Sequence, residues 1–178
     1  MTETWVRDVL AFWFEEATPE QWFRKDDTFD AAMKTRFLAL HERLQEKPIE
    51  TFLVDPETAL AAIIVCDQMT RNMFRGTSRA FASDTRALAL ADAAIARGYE
   101  AHLTKPQRQF LYLPFEHAED LAAQERCVRL MQSLEDAELV KWAEAHRVII
   151  ARFGRFPHRN QALGRVSTAE EIAFLKEP

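Results

Sequence analysis

An all-α fold is predicted by three features of the sequence. Apolar residues recur at three- and four-residue spacing almost throughout, the period of a helix that buries one face, and the alternation of a half-buried strand is absent. Glycine is scarce: 4 of 178 residues, about 2% against a usual share of about 7%, leave few positions for tight hairpin turns or glycine-rich phosphate loops. Hydrophobic residues make up 48%, enough to fill one core in a chain of this length, so a single all-helical domain over residues 1–178 is expected and disorder as the main state is excluded.

The elements follow in order. A first helix spans residues 3–16, and after Pro19 a short turn carries Trp22 and Phe23. Asp27 is placed to cap a helix whose Phe29, Met33, Phe37, Leu40 and Leu44 form one stripe and which Pro48 stops. Asp55-Pro56 puts a cap before a proline at the first helical position, opening a helix to about residue 74. Ser83-Asp84 opens an alanine-rich helix closed by Gly98. Thr104 and Gln107 form a capping box for a short helix that Pro114 is expected to end, with a longer helix from 114 to about 134. Asp136 caps the next helix, to 152; Gly154 and Pro157 frame an irregular turn; Thr168 with Glu171 caps a last short helix to 175. The reading gives seven or eight helices, short connections and no internal repeat of fixed period.

Composition also excludes function classes. A chain of net charge −5 and pI about 5.6 has no general attraction for nucleic acid or anionic lipid, so neither is expected as a partner. The apolar run from Val9 to Phe14 is far shorter than the roughly 20 residues that span a bilayer, and no signal peptide or anchor is read. Cys66 and Cys127 lack a C-x-x-C partner and lie in apolar helical patterns, which fits a reducing cytoplasm.

The charge is sorted along the chain. Residues 68–83 and 145–169, 41 in all, hold no acid where the average density predicts about six, and no lysine. They carry eight of the 17 arginines: Arg71, Arg75, Arg79, Arg147, Arg152, Arg155, Arg159 and Arg165. Guanidinium tolerates desolvation and grips carboxylate or phosphate with two parallel bonds. Either these arginines pair with acids on other helices, Asp67, Glu116 and Glu119 among them, or they line a pocket for an anion. Phe74, Phe81, Phe153 and Phe156 interleave with them as base-stacking aromatics do, and equally fit a core pattern.

Helix phase points to the same segments. Leu60, Ile63, Ile64, Asp67, Arg71 and Phe74 share one face, so Asp67 and Arg71 stand on a core stripe at pairing distance. Leu139, Trp142, Ala143, His146, Ile149, Ile150 and Phe153 place His146 likewise, and His117, Leu121, Gln124, Val128 and Met131 form a third stripe. One inward histidine is an ordinary satisfied core residue; several inward polar groups imply an internal network or a wet cavity. Glu116 and Glu119, in the first turn of the helix expected after Pro114, have i, i+3 spacing that a divalent site with His146 or His158 would use, and acids there also suit the helix dipole. Metalloprotease-type His-Glu patterns and G-x-S-x-G are absent, and no metal or cofactor is assigned. Acid–base work by His146 or His158 with Asp67 or Glu116 stays open.

Four blocks then resemble one bacterial family, DUF924: residues 67–76 (DQMTRNMFRG), 80–84 (AFASD), 110–119 (FLYLPFEHAE) and 152–160 (RFGRFPHRN) with Leu163-Gly164-Arg165, joined by the N-terminal run Val9 to Phe14 and by Trp22-Phe23. Met69-Thr70 departs from the bulky residue and proline expected at that place. The resemblance implies an all-helical fold similar to tetratricopeptide-repeat proteins, helices packed as antiparallel hairpins, although the Trp…Leu-Gly…Tyr repeat signature is missing. The family's function is unassigned. Because its blocks coincide with the arginine-only stretches, they are expected to converge on one concave site formed by Asp67, Gln68, Arg71, Asn72, Arg75, Glu116, His117, Arg155, His158, Arg159, Asn160 and Arg165. There the arginines would hold a small anionic molecule, Asp67 and Glu116 would orient them, His117 and His158 would move protons, and Asn72 and Asn160 would fix orientation. An interaction scaffold with a protein partner, and a hydrolase or lyase built from the same Asp, Glu and His residues, are the rival readings.

Overall fold

The computed structural model describes residues 3–177. Ten α-helical segments follow one another, with no strand among the described residues: α1 Thr4–Ala11, α2 Pro19–Phe23, α3 Asp27–Gln45, α4 Pro56–Ile64, α5 Thr70–Met73, α6 Asp84–Ala96, α7 Lys105–Glu116, α8 Leu121–Gln132, α9 Ala137–Phe153 and α10 Ala169–Phe174. The all-α expectation holds. Several capping residues act as their sequence context dictates: the Asp55 carboxylate accepts from Thr58 N–H at 2.8 Å, Asp136 accepts from Glu138 and Leu139, and Gly154 ends α9 at φ +69°.

Four local expectations need correction. Asp26, one residue before the expected Asp27, caps α3, accepting from the N–H groups of Thr28 and Phe29 at 3.0 Å. Trp22 and Phe23 end a short helix rather than a turn. Pro114 does not end its helix: α7 runs through it to Glu116, since a proline removes one backbone donor and the ladder resumes at His117 N–H to Leu113 C=O, 3.0 Å. The following helix therefore starts at Leu121, under an Asp120 cap, and not at Pro114. This breaks the stripe predicted from His117 to Met131, because His117 stands at the C-terminal end of α7 instead of on α8.

The core is organised around α4. Its residues from Thr58 to Ile64 are buried on every side, as an all-round apolar helix must be, and α1, α6 and α7 pack around it. In the second half neighbours pair in sequence, α7 on α8 and α8 on α9. Between α4 and α5 the helix widens into one π turn, Val65–Met69, whose five residues are all buried. The wider turn lets Asp67 and Gln68, adjacent in sequence, both stay inside; such insertions are rare and recur at functional sites.

A second π turn, Phe12–Glu16, carries Trp13 into the core against Phe110 of α7, ring centroids 5.4 Å apart. Trp22 donates its indole N–H to Trp13 C=O at 2.8 Å and packs edge-on against Phe110. This aromatic cluster fixes α2 beside α7, where it forms one wall of a cavity.

Candidate functional site

That cavity, of about 580 Å³, lies between α2, α5, the C-terminal half of α7 and α9. Its deep part is formed by buried Gln68, Asn72, Leu113, Glu116 and Met131, and its rim by Phe23, Arg24, Arg75, Glu138 and Trp142, all exposed. Phe23 and Trp142 at this rim are 63% and 58% exposed. A second recess of about 570 Å³, near Asp55, Arg97 and His102, offers no comparable cluster: the Asp55 carboxylate is already engaged by Thr58, and the Tyr99 hydroxyl donates to Leu53 C=O.

At the deep end a carboxylate holds a histidine. The His117 ring places Nδ1 2.8 Å and 2.9 Å from the two oxygens of Asp67, which is completely buried. Asp67 also accepts from Gln68 Nε2 at 2.6 Å and from Arg71 at 3.2 Å. Burial works against the Asp67 carboxylate, but the His117 and Arg71 partners outweigh it and bring its pKa from 3.8 down to about 2. Burial, followed by the Arg71 charge, pushes His117 down and keeps it neutral at pH 7. Nδ1–H then donates to Asp67 and the lone pair sits on Nε2.

Glu116 is the next residue in the chain and behaves oppositely. Burial, and then the negative charge of Asp67, push its carboxyl up from 4.5 to about 7. Its nearest basic neighbour is His146 Nδ1 at 3.3 Å, but that nitrogen donates to Trp142 C=O at 2.9 Å, and burial also holds His146 toward neutral. The contact is therefore no ion pair at pH 7. Below that pH Glu116 carries a proton at the edge of an apolar-walled space.

The backbone under both residues is tied down. Gln124 Nε2 donates to Glu116 C=O at 2.5 Å and Ala118 C=O at 2.8 Å, and Arg159 Nη2 donates to His117 C=O at 3.0 Å. Arg71 forks onto both oxygens of Asp84 at 2.9 and 3.0 Å, and Arg159 reaches the same carboxylate at 3.1 Å. A ring results: His117, Asp67, Arg71, Asp84, Arg159 and back to His117, two acids against two arginines.

Of the twelve residues expected at one site, Gln68, Arg71, Asn72, Arg75, Glu116 and His117 line the cavity, with Asp67 directly behind His117 and Arg159 behind its backbone. Asn72 and Arg75 both engage Asp30 of α3, Arg75 with two bonds at 2.7 and 3.1 Å. The other four do not join them. Arg155 forks onto Glu171 at 2.6 and 2.8 Å, Arg165 onto Glu119 at 2.7 and 2.9 Å, and Asn160 bridges Arg165, Ser167 and Glu171. His158 is exposed beside Phe156. This second cluster fastens the Pro157–Arg159 turn and α10 to the α7–α8 connection. All eight arginines of the acid-free stretches face an acid, from Asp30 for Arg75 to Glu170 for Arg152.

Sequence reasoning did not place Trp22, Phe23, Leu139 or Trp142 in the site, nor Asp84 in the network. Their signals were present but weak: two aromatics in sequence beside a proline, and one acid closing an acid-free stretch.

The described residues form an all-α fold with a partly enclosed cavity beside a buried Asp67–His117 pair and Glu116. The chain belongs to the family described as "Bacterial protein of unknown function (DUF924)", whose pattern matches residues 9–178. It is similar to the solved structure of a protein of unknown function, ATU0120 from Agrobacterium tumefaciens, at 42% identity over 97% of each chain with a TM-score of 0.91. No curated protein matches it. None of the described helices is long and apolar enough to cross a membrane.

Proposed function

We propose that this protein binds a small molecule with an apolar body and an anionic head, a carboxylate, in the α2–α5–α7–α9 cavity. One observation carries the reading: the titratable residues Glu116 and His117, with His146 beside Glu116, stand at the buried end of a space whose apolar wall is formed by Trp22, Phe23, Leu113, Met131, Leu139 and Trp142. Pockets of 300–1,000 Å³ with apolar walls, a few convergent polar groups and shifted pKa values are the usual small-molecule sites. A carboxylate beside Asp67 needs a proton between the two charges, and Glu116, neutral below about pH 7, supplies one. The arginine grip first expected from Arg155 and Arg165 has no part in this version, because both are paired elsewhere.

A thermal-shift series of monocarboxylates of increasing apolar size tests the reading. A member present at 100 times its Kd should add about 2.7 kcal/mol, or about 5–10 °C in Tm for a chain of this size. Leu139→Trp, which fills the cavity, should remove the shift. A flat response to the whole series between pH 5 and 8 would sink it.

A further inference from the structure

We propose that the Asp67–His117–Glu116 end of the cavity hydrolyses carboxylic esters of apolar acids, with His117 Nε2 as general base toward water and the Glu116 carboxyl as general acid. This rests on the small-molecule reading above and names the substrate class of the same site.

Three features of the geometry point to it. The Nδ1 contacts to both Asp67 oxygens, 2.8 and 2.9 Å, fix the ring and the tautomer, so the free lone pair belongs to Nε2. The acid is the neighbouring residue and lines the same cavity, and the backbone carbonyls of both are held, that of Glu116 by Gln124 and that of His117 by Arg159. The surrounding wall is apolar enough to seat an ester's acyl chain. Burial keeps His117 neutral and Glu116 protonated, the forms that a base and an acid need.

The step balances with water as the only co-reactant. Nε2 takes a proton from water as its oxygen bonds to the carbonyl carbon, and the carbonyl π pair moves to oxygen. Collapse re-forms the carbonyl and breaks the ester C–O bond, and the departing alkoxide takes the Glu116 proton. The imidazolium returns its proton to Glu116, leaving one acid and one alcohol.

The probe is p-nitrophenyl hexanoate, followed by nitrophenolate release, with hexanoate thermal shifts in parallel. Turnover above the buffer rate is expected. His117→Asn should lower it at least about 100-fold, the lower bound of a general base's contribution, while an exposed and distant His102→Ala leaves it unchanged. Asp67→Asn, a positioning change, should lower kcat and move the acid limb of the pH–rate profile to lower pH, since the base loses its stabilising carboxylate. Equal turnover in wild type and His117→Asn overturns the proposal, as does hexanoate binding without turnover, which leaves the small-molecule reading standing. Neither binding nor turnover removes both.

Discussion

Glu116→Gln should stabilise the protein at alkaline pH and not at acid pH. The glutamine keeps the volume and the hydrogen-bonding ends of the side chain but never ionises. In the folded chain burial and the Asp67 charge move the Glu116 pKa from 4.5 to about 7. Because the folded value is the higher one for an acid, folding favours the protonated form; that contribution is intact below 4.5, declines as pH rises from 4.5 to 7, and is a constant penalty above. The difference is about 2.5 pKa units, at 1.36 kcal/mol each about 3 kcal/mol. Relative to wild type, Glu116→Gln is therefore expected to gain about 2.5 kcal/mol between pH 5 and pH 8.5, a relative rise of about 5–10 °C in Tm. Urea unfolding at the two pH values measures it directly. Asp67 titrates well below this window and is present in both proteins, so it cancels. A pH-dependent difference under about 1 kcal/mol would refute the claim that Glu116 is held neutral, and with it the acid assigned to the site.

Other outcomes follow from the same geometry. Asp67→Asn leaves Arg71 with one buried partner fewer and removes the His117 anchor, so it should cost about 3 kcal/mol at pH 7 by equilibrium unfolding. Since the folded pKa of Asp67 is depressed from 3.8 to about 2, that cost should shrink as pH falls through this interval. Asp84→Asn and Arg159→Met should each cost about 3–5 kcal/mol by stranding a charge, and the double variant should cost at least about 1 kcal/mol less than their sum, read from a double-mutant cycle. Arg155→Ala should lower hydrogen-exchange protection in α10, whose buried Glu171 it holds, while carboxylate affinity stays unchanged; a loss of affinity would return Arg155 to the ligand site. Carboxylate affinity should fall about tenfold per pH unit above 7, where Glu116 must take up a proton to bind, as isothermal titration in two buffers of different ionisation enthalpy would show.

Much of the fold was legible because its signals are local. Asp55 before Pro56, Thr104 with Gln107 and Thr168 with Glu171 each satisfy backbone donors two or three residues away, so short-range chemistry reveals them. Pro114 misled for the same reason: its local meaning is a stop, and only the packing of buried Phe110, Leu111, Leu113 and Phe115 on both sides carries the helix past it. The π turn at Val65–Met69 has no sequence signature, yet it keeps Gln68, which lines the cavity, and Asp67, which stands behind His117, both buried. The excess of arginine was visible; its partners were not, since Arg159 meets Asp84 across 75 positions and Arg165 meets Glu119 across 46. Charge sorting therefore located the polar segments correctly, while the choice between pairing and ligand binding depended on contacts that only the fold creates.

The ring of Asp67, Arg71, Asp84 and Arg159 is not explained by stability. Buried ion pairs are often no better than apolar residues of the same shape, and this one occupies volume beside the hydrophobic core. What it does achieve is positional. Asp67 grips the ring nitrogen of His117 and Arg159 grips its carbonyl, and the two are linked through Arg71 and Asp84, so one residue is held at both ends by a single charge-balanced network. Gln124 adds the same restraint to Glu116 from α8. A core that needed only to fold would be satisfied without any of these groups. Two adjacent titratable residues tied into one network at the inner end of the cavity are the groups that the proposed ligand chemistry would use.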